Sequence, residues 1–121
     1  MEKLYIGALD IGGTKVAASV ADESGPLARI VQPTTKVGTP RALPEQAIAM
    51  LQGACEKAGV DFEKMMTVGV SSCGPFVRND DMLGLATPNI CGGLGKRADL
   101  PNDWTCIPLE EVLRERFDHV S

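Results

Sequence analysis

Asp10-Ile11-Gly12-Gly13-Thr14-Lys15 sets a carboxylate, two glycines, a hydroxyl and an ammonium group directly after the apolar run Leu4-Tyr5-Ile6-Gly7-Ala8-Leu9. That combination suits a phosphate group. The carboxylate of Asp10 can orient a hydrated Mg²⁺, an ion that keeps several waters and takes few direct protein ligands. Gly12 and Gly13 let backbone N–H groups approach phosphate oxygens closely, and Thr14 adds a hydroxyl donor. Val16-Ala17-Ala18-Ser19-Val20-Ala21 then reads as a second strand, so the motif occupies a strand-turn-strand hairpin. The P-loop and the dinucleotide fingerprint both require a helix next and a different glycine spacing. The plainer alternative is a tight hairpin whose glycines supply only positive φ. Asp10 favours the phosphate reading, because a carboxylate at a strand end beside a glycine turn seldom serves packing.

A second stretch with chemical potential is Val68-Gly69-Val70-Ser71-Ser72-Cys73-Gly74-Pro75-Phe76-Val77, with Thr87-Pro88-Asn89-Ile90 further on. A buried strand that ends in small residues and Gly-Pro presents bare backbone at the end of a sheet, where α/β proteins bind ligands. Asn89 offers both a donor and an acceptor, which suits a sugar hydroxyl. Two loops built from ordinary turn formers would look the same. Ser72 and Cys73 are not read as nucleophiles: no elbow motif surrounds them, and the single histidine, His119, is distant in sequence. The cysteines at 55, 73, 91 and 106 lack chelating spacing, which argues against a zinc site within the chain. Cys55 and Cys73 fall on apolar positions and are expected to be buried free thiols.

These residues need a frame. Three strands are expected, at about 4–10, 15–21 and 27–33, with Asp22-Glu23-Ser24-Gly25-Pro26 as the second turn. Thr39-Pro40 opens a helix that runs to Ala58 and stops at Gly59. Its apolar positions Ala47, Ile48, Leu51, Ala54, Cys55 and Ala58 share one face, the mark of a core-facing helix. Thr67 to Ser71 reads as a buried strand. Gly92 to Asp103 reads as a polar, mobile surface loop in which Lys96-Arg97 could meet phosphate or simply solvate the loop. Pro108 to Phe117 reads as a second helix, with Leu109, Val112, Leu113 and Phe117 on one face, and residues 118–121 as the turn into another strand. The sum is an α/β domain with a mixed sheet: three antiparallel strands, a crossover helix and a parallel strand.

Composition narrows the function classes. The chain has 121 residues, enough for one domain and one core. Its formal net charge of −4 disfavours non-specific nucleic-acid binding, which needs a basic surface. One Trp, one Tyr and three Phe offer no stacking platform for single strands. No apolar run reaches the length of a membrane span, and the N-terminus shows no signal-peptide core, so a cytoplasmic location is expected.

In order along the chain, these motifs resemble the ROK family of sugar kinases and repressors, within the actin-like, ribonuclease H-like superfamily. Asp10-Ile11-Gly12-Gly13-Thr14-Lys15 is similar to the family's first phosphate motif. Gly69-Val70-Ser71-Ser72-Cys73-Gly74-Pro75 resembles its Gly-Ile-Gly-x-Pro-Gly-Pro segment, with Cys73 where a proline is usual. Ala86-Thr87-Pro88-Asn89 resembles its Ala-Pro-Asn segment with Thr87 inserted, and Trp104 follows after a longer loop than the family's tryptophan does. The resemblance implies a ribonuclease H-like (actin-like ATPase) N-terminal domain over residues 1–121 and transfer of phosphate from ATP, with Mg²⁺, to a sugar hydroxyl. It implies that Asp10, Gly12, Gly13, Thr14 and Lys15 bind the phosphates and metal, and that Gly74 and Asn89 contact the sugar. The family's catalytic aspartate would lie beyond Ser121, as would its zinc motif and most of its adenine pocket. The chain is therefore expected to be the N-terminal part of a longer, homodimeric kinase and inactive alone. Two alternatives stay open: a ROK-type repressor, disfavoured because only nine residues precede Asp10, and a non-catalytic sugar- or phosphate-binding module.

Overall fold

The computed structural model describes residues 3–95 and 97–121. Five strands, β1 (Tyr5–Ile11), β2 (Lys15–Asp22), β3 (Gly25–Pro33), β4 (Met65–Ser72) and β7 (His119–Val120), form one mixed sheet in the order β3-β2-β1-β4-β7. β1 pairs antiparallel with β2 and parallel with β4, and β4 pairs parallel with β7. The helix α1 (Ala42–Ala58) makes the crossover from β3 to β4. This is the expected mixed α/β topology. No helix among the described residues is long and apolar enough to cross a membrane.

Side-chain alternation explains which face of the sheet is covered. In β1, Gly7, Leu9 and Ile11 are buried while Ile6, Ala8 and Asp10 are exposed. β2 buries Val16, Ala18 and Val20 in the same core, and α1 meets them with Leu43, Ala47, Met50, Leu51, Ala54 and Cys55. Each such Leu or Met side chain contributes roughly 1.5–3 kcal/mol by leaving water, so the apolar stripe of α1 is accounted for by packing. The helix ends where expected: Gly59 is left-handed at φ 71° and caps the carbonyls of Cys55 and Glu56. Its start is later than expected, at Ala42, because Thr39–Arg41 close a turn in which the Ala42 N–H donates to the Thr39 carbonyl at 2.9 Å.

Beyond β4 the chain departs further from its sequence reading. Phe76–Asn79 (β5) and Met82–Leu85 (β6) form an unexpected antiparallel hairpin. Its turn residues Asp80 and Asp81 both have positive φ, 49° and 63°, a conformation that Asn and Asp tolerate best among residues with a side chain. The second helix, α2 (Leu109–Arg116), begins one residue after the expected Pro108. His119–Val120 is already strand, in register with Thr67–Val68.

The segment from Gly92 to Asp103 was expected to be mobile, and its two ends are instead pinned. The Asn102 side chain accepts from the Gly92 N–H (2.7 Å) and the Trp104 N–H (3.1 Å) and donates to the carbonyls of Lys36 (2.8 Å) and Ile90 (2.9 Å). Gly92 and Gly93 lie so close to the backbone of Asn102 and Asp103 that neither has room for a Cβ. Trp104 is buried and donates its indole N–H to the Gly38 carbonyl at 2.8 Å. Lys96 lies outside the described residues, and Arg97 pairs with Asp99 at 2.6 Å. All four cysteines are free; Cys55 and Cys91 are buried, whereas Cys73, expected to be buried, is only half-buried. Burial pushes the Cys91 thiol up to about 11.

Candidate functional site

β1 and β2 are joined by Gly12-Gly13-Thr14, the turn of the Asp10–Lys15 motif. The Gly12 N–H donates to the Lys15 carbonyl at 3.0 Å, which closes the turn. Gly12 and Gly13 are absent from the positive-φ glycines, which are residues 25, 38, 59 and 95. The reading in which these glycines serve only to permit positive φ therefore fails. They are small for a different reason: a Cβ on Gly13 would stand 3.3 Å from the Cβ of Asn89, and one on Gly12 would stand 3.2 Å from the Lys15 carbonyl oxygen.

The close approach of Asn89 to Gly13 joins two of the sequence-derived motifs. Thr87, fully buried, sets the second of them. Its hydroxyl accepts from the Asn89 N–H at 3.3 Å, and its carbonyl accepts from the N–H groups of Ile90 (3.2 Å) and Cys91 (2.9 Å). The residue that looked like an insertion is thus the brace of the Pro88-Asn89-Ile90 turn. Asn89 itself is exposed.

The third motif is drawn to the same rim by the sheet. Parallel pairing puts Asp10 beside Ser71 and Ile11 beside Ser72, and the Cys73 N–H extends the ladder to the Ile11 carbonyl at 3.0 Å. Gly74 follows, exposed, in a cis peptide bond with Pro75. The Pro75 carbonyl accepts from the Ala86 N–H at 3.0 Å, which ties the base of the hairpin to the start of the Asn89 turn. Ser72 spends its hydroxyl on the Cys73 carbonyl at 2.9 Å. His119 pairs with Thr67, five residues away along β4, or roughly 16 Å at strand rise. His119 therefore does not serve Ser72 as a base.

Asp10 is exposed on the face of the sheet away from α1, in register with Ala17 and Ser71. No group of three or more metal-binding side chains exists among the described residues. Thr14 and Lys15 are exposed, and the N–H groups of Gly13 and Thr14 have no hydrogen-bond acceptor among the described residues. Unpaired backbone donors beside a hydroxyl and an ammonium fit a phosphate group well. Of the residues that hold this arrangement in place, Thr34, Gln46 and Asn102 were not singled out from the sequence, and Thr87 was read there only as an insertion. For Thr34, Gln46 and Asn102 the signal is weak, since each is a polar residue with partners 10 or more positions away.

The ROK family pattern matches residues 6–118. The glucokinase of Streptomyces coelicolor is 36% identical over 113 residues, covering 93% of this chain and 29% of its own length. The crystal structure of a ROK hexokinase from Thermus thermophilus superposes with a TM-score of 0.66 at 27% identity, covering 97% of this chain and 34% of that one. A putative sugar kinase from Cytophaga hutchinsonii shares the fold with a TM-score of 0.54 at 18% identity, covering 97% of this chain and 35% of that one. The chain thus spans about a third of the length of these relatives. Its sheet is the ribonuclease H-like sheet of actin-like sugar kinases, and the chain belongs to the ROK family.

Proposed function

We propose that the chain supplies the phosphate turn and part of the sugar site of an ATP-dependent hexose kinase. The observation that carries this reading is the close approach of Asn89 to Gly13, where an added Cβ would stand 3.3 Å from the Asn89 Cβ; it sets a group suited to sugar hydroxyls beside a turn suited to phosphate. Phosphoryl transfer needs that adjacency, because its catalysis rests on positioning and charge stabilisation. Bound Mg²⁺–ATP would supply the phosphoryl group.

In this reading Asp10 orients the hydrated metal, the N–H groups of Gly13 and Thr14 and the Thr14 hydroxyl hold phosphate oxygens, and Lys15 adds positive charge at the same edge. Gly74 leaves the rim bare so that a sugar can approach, and Asn89 donates to and accepts from its hydroxyls. None of the residues assigned here is placed as the base that takes the hydroxyl proton, so the reading gives this chain binding and orientation.

The test is sugar-dependent ATP consumption by the full-length protein over a hexose panel. Glucose comes first because the Streptomyces relative is named a glucokinase. Turnover that depends on one hexose and on Mg²⁺ supports the reading. A full-length protein that is folded, binds sugar and never consumes ATP supports the non-catalytic module instead.

A further inference from the structure

Thr34 follows β3 and is 6% exposed, one of the two buried polar residues among the described residues. Its backbone N–H donates to the Thr14 carbonyl at 3.0 Å, and its hydroxyl donates to the Gly12 carbonyl at 2.8 Å. One residue thus grips both ends of the Gly12-Gly13-Thr14 turn. The first bond merely prolongs the ladder in which Lys15 pairs with Pro33. The second is a side-chain bond that the ladder does not require.

Peptide planarity gives that second bond its consequence. The Gly12 C=O and the Gly13 N–H belong to one rigid peptide unit and point in opposite directions. Fixing the carbonyl on Thr34 therefore fixes the direction of the Gly13 N–H, which has no acceptor among the described residues. The restraint matters because that peptide lies between two glycines, whose backbone torsions are the least restricted of any residue. The property that brings the turn close to Asn89 would otherwise let the peptide rotate.

Thr34 is in turn held from behind. The Gln46 side chain, on α1, accepts from the Thr35 N–H at 3.0 Å and donates to the Pro33 carbonyl at 2.8 Å. The two residues that flank Thr34 are thereby tied to the body of the domain.

We propose that Thr34 is a positioning residue that aims the Gly13 N–H at the phosphate, an assignment that rests on the kinase reading of the site. Thr34→Val keeps the shape and the backbone bond and removes only the hydroxyl; Thr34→Ser keeps the hydroxyl. In the full-length protein, Thr34→Val is expected to raise the KM for ATP about tenfold, the effect of one misdirected donor. The KM for sugar should stay within about twofold, and Thr34→Ser should restore the ATP value. In the ¹⁵N-labelled 121-residue chain, the Gly13 and Thr14 amide signals should move or broaden in Thr34→Val and return in Thr34→Ser.

Amide signals in Thr34→Val that superimpose on those of the unmodified chain would overturn the assignment, as would equal losses for ATP and sugar. The amide comparison needs no turnover. A wild type that never consumes ATP would therefore sink the kinase reading, while the amide signals still decide whether Thr34 sets the turn.

Discussion

The glycine turn between β1 and β2 and the loop that carries Asn89 meet at one point, yet they are held by different means. The turn sits between paired strands, so its ends are placed by ladder hydrogen bonds and its shape needs one added restraint, from Thr34. The 86–104 loop is largely irregular backbone. Side chains hold it, chiefly Thr87, Asn102 and Trp104, by bonds to main-chain groups. The first region is anchored in the sheet, and only the direction of its Gly12–Gly13 peptide should depend on one side chain, Thr34. The second should come apart locally when a single side chain is lost.

The hardest blow to the loop is Trp104→Ala. It removes a buried indole and the bond to the Gly38 carbonyl, and is expected to cost about 3–5 kcal/mol, a large part of a domain's stability. Urea denaturation of the chain reads this directly. Next is Asn102→Ala, which strips three hydrogen bonds within the loop, to Ile90, Gly92 and Trp104, and one that joins it to Lys36. The expected cost is about 2–3 kcal/mol, with hydrogen exchange accelerated around 86–104 and unchanged in β1 and β2. Faster exchange in the strands as well would break the distinction between the two regions.

Gly13→Ala probes their junction. The new methyl group would stand 3.3 Å from the Asn89 Cβ, and exposed Asn89 can yield, so the stability loss should stay under about 1 kcal/mol. Sugar affinity of the full-length protein should nevertheless fall several-fold, because Asn89 is displaced. A variant with unchanged sugar affinity would mean that the contact does not matter for binding.

The smallest effect is expected at Glu110. The Leu83 N–H and then Arg114, both at 2.7 Å, hold its carboxyl below the ordinary value of 4.5. A depressed carboxyl contributes stability above its unfolded value, and that contribution disappears as pH falls through the lower folded value. Glu110→Gln should therefore flatten the stability profile below about pH 4.5 while changing stability at pH 7 by less than about 1 kcal/mol.

The same division explains what the sequence disclosed. β1, β2, α1 and the Asp10–Lys15 turn follow from local signals: alternation, helical spacing, and glycines between two apolar runs. The hairpin of β5 and β6 was missed although Asn79-Asp80-Asp81 suits its turn, because both strands are only four residues long and β5 is exposed throughout. The pinned ends of the Gly92–Asp103 segment were not foreseen because polar residues and glycines between elements usually mark free loops. Here the glycines serve close packing against Asn102 and Asp103, and Asn102 reaches a carbonyl 66 positions away in sequence. Thr34 was overlooked for a similar reason. Its partner is 22 positions away, and nothing in its own neighbourhood marks it.

The most direct test of the central claim, that the Asp10–Lys15 turn and Asn89 form one phosphoryl-transfer site, is the steady-state kinetics of Asp10→Asn in the full-length protein. The side chain keeps its size and exposed place on β1 and loses only its charge. The account predicts that kcat falls by about 100-fold or more while the KM for sugar stays within about twofold. Turnover close to that of the wild type would contradict it, and would remove the carboxylate from the site.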